Sequence, residues 1–101
     1  MEPFIGQIIM FGGNFAPRNW AYCNGQLLAI SQNQALYSLL GTRYGGRAEK
    51  FNLPDLRGRV PMHPDSISQS NVGSSTPVNN MQPFLAVNFI IALVGTFPSR
   101  N

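Results

Sequence analysis

The stretch that decides the fold class is residues 20–41, which read WAYCNGQLLAISQNQALYSLLG. Its first half places Asn24-Gly25 between two apolar arms within residues 20–30. Asn and Gly both tolerate the positive φ that the tightest turns between antiparallel strands require, so this dipeptide is a strong short-range hairpin signal. The sequence therefore predicts a β-hairpin centred on Asn24-Gly25.

The second half of the stretch predicts a short helix over residues 32–40. Ser31 and Gln34 form a capping-box pattern, in which the serine hydroxyl accepts from the backbone N–H of Gln34 and the glutamine side chain reaches back. Apolar residues then share one helical face at positions 35, 36, 39 and 40. Gly41 is placed to end this helix in the left-handed conformation.

Weaker signals flank this unit. Residues 4–11 (FIGQIIMF) predict a strand, and short extended pieces are predicted at residues 51–53 and 59–60, beside prolines. Residues 84–94 predict a buried strand, with a helix as the alternative, and residues 64–82 predict an exposed loop or linker. These elements together predict a single small α+β domain over residues 1–101, with much irregular loop.

Composition excludes several classes of protein. The chain has 101 residues, of which 44% are hydrophobic and only 11% charged, so it lacks the highly charged, weakly hydrophobic composition of disordered chains. Its longest apolar run is too short for a spanning helix of about 20 residues, and the first residues show no signal-peptide pattern. One cysteine excludes an intrachain disulfide, and with one histidine and four acids it predicts neither a metal nor a cofactor.

The few charges are concentrated in one segment. Residues 43–59 contain five basic and two acidic side chains, so the net charge of +3 for the whole chain lies there. The remainder is electrically neutral, which favours association between copies because little self-repulsion opposes it. Three net charges with interleaved acids are too few for a nucleic-acid partner.

Three segments carry a resemblance to a known family. They fit the ordered pattern W-x-x-C-N-G-Q-x-L, then Q-x-x-A-L-x-x-L-L-G-x-x-Y-G-G, then F-x-L-P-D-L-R-G-R-V-P, and the closing PFLAVNFIIALVGTFPSRN also agrees. The chain resembles the phage tail-collar domain family, most closely the bacterial proteins labelled microcystin-dependent proteins. The resemblance implies a small mixed α/β unit of the kind found in short tail fibres, where three chains intertwine and a distal part engages cell-surface glycan. The family is not known for enzymes.

One departure from the family pattern bears on metal binding. Relatives have a longer segment after the R-V-P motif, with a His-x-His pair from each chain around a metal on the three-fold axis. In this chain Asn79-Asn80-Met81-Gln82 stands near that place without a histidine, and His63 belongs to the earlier motif. The chain therefore resembles a shortened form that lacks the metal-bearing insertion.

The basic segment is the candidate ligand or anion loop. Its members are Arg43, Tyr44, Arg47, Arg57 and Arg59. The structural alternative is that Arg57 and Arg59 pair with Asp55 and with backbone carbonyls, since an irregular loop needs partners for its polar groups and the guanidinium satisfies several acceptors at once. Tyr44 is the surface aromatic candidate for sugar stacking, whereas Trp20 is expected to pack in the core.

Two further groups are candidates for chemistry or for contacts between chains. Cys23 and His63 have no convincing third partner for a nucleophilic site, so Cys23 is expected to be a small buried hydrophobe and no catalytic residue is predicted. Asn88 interrupts the C-terminal apolar run, where its amide either pairs with its copies on a three-fold axis or bonds to a neighbouring loop.

The sequence thus predicts a non-enzymatic structural module that associates with itself. A homotrimer is expected, with an open filament as the alternative, and the interface is assigned to the C-terminal run. Its candidate residues are Phe84, Val87, Asn88, Phe89 and Ile91. The second hypothesis is a module that binds bacterial surface glycan. Other tail or fibre proteins are further expected partners, and the expected location is a virion, a tail-like particle or the extracellular space.

Overall fold

The computed structural model describes residues 2–63 and 86–99, which form six strands and one helix. The predicted loop over residues 64–82 and the candidate interface residue Phe84 lie outside these residues. In chain order the elements are β1 (Ile8–Phe11), β2 (Trp20–Tyr22), β3 (Leu27–Ala29), α1 (Gln34–Leu40), β4 (Gly46–Arg47), β5 (Lys50–Asn52) and β6 (Asn88–Ala92). The small α+β domain expected from the sequence is confirmed.

The first sheet joins the two ends of the described chain in the order β1-β6-β2, with both pairs antiparallel. Strand β6 is central because its sequence, NFIIA, supplies branched apolar residues to both faces, and Ile90, Ile91 and Ala92 are all buried. The predicted C-terminal strand is therefore confirmed and its helical alternative is wrong.

Strand β1 is shorter than the sequence predicts. The Gly6 backbone has φ of 85°, and its N–H donates to the Ala92 carbonyl. The N–H of Ala92 in turn donates to the Gln7 carbonyl. Gly6 and Gln7 thus both lie opposite Ala92, and regular pairing begins only at Ile8, opposite Ile91. Before the strand, Phe4 forms an isolated parallel bridge with Thr96.

The predicted Asn24-Gly25 hairpin is wrong, because its two arms belong to different sheets. Strand β2 pairs with β6, whereas β3 pairs with β5 in a second sheet of order β3-β5-β4. Each arm thereby pairs with a strand that is distant in the sequence instead of with the other arm. Gly25 has φ of 75°, so the turn chemistry is present, but it makes a corner between the sheets.

Helix α1 is present but its capping is not the predicted one. The N-cap is Asn33 and makes no side-chain capping bond; its amide instead donates to the Ala29 carbonyl at 3.0 Å. At the other end Gly41 has φ of 58° with ψ of −143°, which lies outside the left-handed helical region. Its N–H donates to the Tyr37 carbonyl at 2.7 Å and closes the last turn.

The core lies where the helix meets the two sheets. It is formed by Ile5, Cys23, Leu36, Phe51, Leu53 and Ile91. Trp20 lies outside this cluster: it is half-buried opposite Ala92, so the expectation of a core tryptophan is wrong. Residues 59–60 form no strand, and Val60 is exposed. No helix within residues 2–63 and 86–99 has the length and apolar character needed to cross a membrane.

Candidate functional site

A corner between the two sheets positions half of the predicted basic loop. The Gly25 N–H donates to the Pro54 carbonyl at 3.2 Å, and Asn24 bridges Asp55. The Gln26 side chain closes the turn, since its amide nitrogen donates to the Tyr22 carbonyl at 2.9 Å and its oxygen accepts from the Asn24 N–H at 3.1 Å. The C-N-G-Q and N-L-P-D motifs therefore form one structural unit.

Asp55 organises the segment that follows this corner. Its carboxylate accepts from the Arg57 Nε and Nη2, both at 2.9 Å, and from the Arg57 backbone N–H at 3.1 Å. These hydrogen bonds, the side-chain ones first, lower the pKa of Asp55 to about 2. The Arg59 Nη1 donates to the Asp55 carbonyl at 2.8 Å. These are the contacts of the structural alternative, in which Arg57 and Arg59 pair with Asp55 and with a backbone carbonyl.

The other half of the basic loop surrounds the β4–β5 turn. The Arg43 guanidinium carbon lies 5.9 Å from the centroid of the exposed Tyr44 ring, within cation–π range. Arg47 and Lys50 are directly opposite in the strand register and are both exposed. The structure therefore adds Lys50 to the candidate site, and the sequence signal for it was the short G-R-A-E-K turn.

The candidate interface residues divide by burial. Ile91 is completely buried within the chain's own core, between β1 and β2, so the structure removes it from any exposed interface. Phe89 is half-buried against the core, and Val87 is exposed. The Asn88 amide donates to the Gly13 carbonyl at 2.9 Å, which is the neighbouring-loop alternative for this residue.

Strand β1 presents an apolar edge that the sequence patterns do not identify as a site. Its exposed fractions are 39% for Ile8, 37% for Ile9 and 69% for Met10. Because side chains alternate across a strand, apolar groups are exposed on both faces of it. Further large apolar side chains are exposed elsewhere in the described residues: Phe4, Phe15, Val94 and Phe97.

Cys23 and the potential metal ligands were the remaining candidates for chemistry. Cys23 is 2% exposed, and burial raises the pKa of its thiol to about 11, so the reactive thiolate is suppressed at neutral pH. Cys23 is the small buried hydrophobe that the sequence predicts. Within the part of the chain that the structure describes, no three His, Cys, Asp or Glu side chains are grouped as a metal site requires.

Comparison with known protein families identifies the family of this chain. The family model described as Phage Tail Collar Domain matches residues 6–61, which is just over half of the chain. The chain belongs to the phage tail collar domain family, a structural family not known for enzymatic activity. The matched residues include the inter-sheet corner, helix α1, the β4–β5 turn and the Asp55 segment.

A tail-fibre relative matches about the same length of chain. Over 55 residues the chain is 36% identical to the Short tail fiber protein gp12 of Enterobacteria phage T4. This match covers 54% of the chain but 10% of the relative, so the chain spans about a tenth of that protein's length.

Proposed function

We propose that this collar domain is a non-enzymatic structural module of a tail fibre, or of a related extracellular assembly, and that it assembles with copies of itself. A homotrimer is the proposed state, in line with the three-chain fibres of the family it resembles. An open filament built from the same contacts is the alternative, because a head-to-tail contact forms a ring only when its rotation closes.

The observation that carries self-assembly is the large apolar surface that the described residues leave exposed, at Phe4, Phe15, Val94 and Phe97 as well as along β1. Met10 is 69% exposed, and its neighbours Ile8 and Ile9 are each more than a third exposed. A sheet edge of this composition is an association site unless something covers it. With only 11% of its residues charged, the chain offers little electrostatic resistance to close packing between copies.

The C-terminal strand contributes to the proposed interface at its beginning. Val87 and Asn88 are exposed there, and Phe89 is half-buried, so these three residues remain candidates for contacts between chains. Other tail or fibre proteins are proposed as additional partners, and a virion or tail-like particle is the proposed location.

Negative-stain microscopy of the purified chain tests this proposal. We expect particles with three-fold symmetry, and fibres would favour the filament alternative. Light scattering on the same sample gives the mass in solution. A mass of one 11.1 kDa chain at micromolar concentration would contradict self-assembly of either kind.

A second candidate function is glycan binding at the exposed basic residues. It is supported by the exposed Tyr44 ring, which offers a stacking surface with Arg43 beside it, and by the exposed cations Arg47 and Lys50 of the same segment. A glycan array would test it with Tyr44→Ala and Arg47→Ala, and with Arg18→Ala as the control for an exposed arginine outside this loop. Absence of binding, or binding that only the control weakens, would contradict it.

A further inference from the structure

The hydrogen-bond pattern of β6 determines where the backbone groups of β1 point. The Cys23 N–H donates to the Phe89 carbonyl at 3.0 Å, so the backbone of Phe89 faces β2. Met10 is opposite Phe89 in the β1–β6 register. Because hydrogen-bonded and non-hydrogen-bonded pairs alternate in an antiparallel ladder, the N–H and C=O of Met10 point away from β6.

The same alternation applies to Ile8. It is two residues from Met10, so its N–H and C=O also point away from β6, while those of Ile9 and Phe11 point toward it. Within the described sheet, β1 is an edge strand and has no neighbour on that side. The open edge therefore offers two N–H and two C=O groups, flanked by exposed apolar side chains.

The second sheet provides a contrast, because its edge at β4 is protected. Strand β4 is two residues long, and its Arg47 lies opposite Lys50 of β5. The turn that follows β4 has φ of 53° at Ala48. Short length and positive charge are the usual means by which proteins block strand addition. Strand β1, with the sequence IIMF, has neither charge nor proline. The two edges therefore differ in the features that decide whether a strand can be added.

We propose that β1 pairs in antiparallel fashion with β1 of a second copy of the chain, around a two-fold axis at Ile9. In this register Ile8 of one copy is opposite Met10 of the other, and both residues direct their backbone groups across the contact. Each Ile8–Met10 pair exchanges two hydrogen bonds, and the two Ile9 residues form the closer, non-hydrogen-bonded pair between them. Two three-stranded sheets become one sheet of six strands.

This contact rests on the proposed self-assembly but is separable from it. A two-fold contact cannot close a ring of three, so it joins two trimers into a hexamer, or two single chains into a dimer. An even number of chains therefore supports the β1 contact. A trimer that never doubles would contradict the β1 contact and leave the proposed homotrimer intact.

The decisive variant is Met10→Pro. Proline removes an N–H that points to the open edge, so pairing with β6 is retained, and an edge strand tolerates proline at such a position. The matched control is Met62→Pro, at an exposed methionine outside both sheets. By light scattering, we expect Met10→Pro to halve the mass of the assembly, while Met62→Pro keeps the wild-type mass. Circular dichroism must show that both variants are folded.

Amide hydrogen exchange on the wild-type chain gives a second readout that needs no variant. We expect the Ile8 and Met10 amides to exchange at least about tenfold more slowly in the assembled state than at high dilution. The Ile9 and Phe11 amides should be protected at both concentrations. Protection of Met10 that is independent of concentration would mean that the chain covers this edge itself, and would overturn the proposal. So would a folded Met10→Pro variant with the wild-type mass.

Discussion

The side-chain amide of Asn52 donates a hydrogen bond to the carbonyl oxygen of Gly25 at 2.7 Å. This contact ties β5 to the corner where the chain passes from the first sheet to the second. The Asn52 N–H also donates to the Gly45 carbonyl at 2.9 Å, so this one residue connects the corner with the residue that precedes β4. We therefore expect the placement of Asp55 and of Arg47 to depend on it.

Replacing Asn52 tests this role. Asn52→Ala leaves the partly buried Gly25 carbonyl without its donor, and we expect the free energy of unfolding to fall by about 1–2 kcal/mol. Urea denaturation measures the change, with Asn14→Ala as the control for an exposed asparagine. Equal effects of the two substitutions would show that the contact contributes little.

Gly95 tests the packing of the chain ends. It has φ of 151°, and a Cβ atom there would overlap the Pro3 carbonyl, between the hydrogen bonds that join residues 3–5 to Thr96. Gly95→Ala should therefore destabilise the fold by at least about 2 kcal/mol. Gly12→Ala is the matched control, because a Cβ at that glycine meets nothing within 4 Å. Comparable melting temperatures for the two variants would refute this account of the ends.

Ala48 offers a stabilising substitution. Its φ of 53° is unfavourable for a residue with a Cβ atom, whereas glycine adopts it freely. We expect Ala48→Gly to raise the free energy of unfolding by about 0.5–1 kcal/mol. The control Ala35→Gly, in α1, should lower it by about 1 kcal/mol. A loss of stability in Ala48→Gly would contradict the assigned turn geometry.

The Asp55–Arg57 pair makes the free energy of unfolding depend on pH in the acid range. The pKa of Asp55 is lowered from 3.8 to about 2 in the folded chain, so the folded state binds this proton less readily than the unfolded state. The stabilisation is fully present above about pH 4 and is lost as the pH falls toward 2. Urea midpoints between pH 5 and pH 2 should fall less steeply for Asp55→Asn than for the wild type. Parallel curves would exclude the Asp55–Arg57 pair as a source of stability.

The accuracy of the sequence prediction followed the range of the interactions involved. Helix α1 and strand β6 were predicted because their apolar patterns are local, and the pairing of Arg57 with Asp55 was predicted because only Leu56 lies between them. The hairpin failed because the Asn24-Gly25 signal describes a turn and does not identify the partners of its arms. Tyr22 pairs with Ile90 and Leu28 with Phe51, and both choices are set by tertiary packing.

The candidate site was predicted in part for the same reason. Arg43, Tyr44 and Arg47 were identified by composition, but Lys50 gains its significance only from its position opposite Arg47, which depends on strand register. Ile91 was assigned to an interface because it lies in an apolar run. The antiparallel neighbours β1 and β2, which bury it within its own chain, are brought beside β6 only by folding.

Sedimentation equilibrium of the purified chain at several micromolar concentrations tests the central claim, self-assembly of this collar domain, most directly. The account predicts a mass of three chains of 11.1 kDa, doubling at higher concentration through the β1 edge. A mass of one chain at every concentration would contradict it.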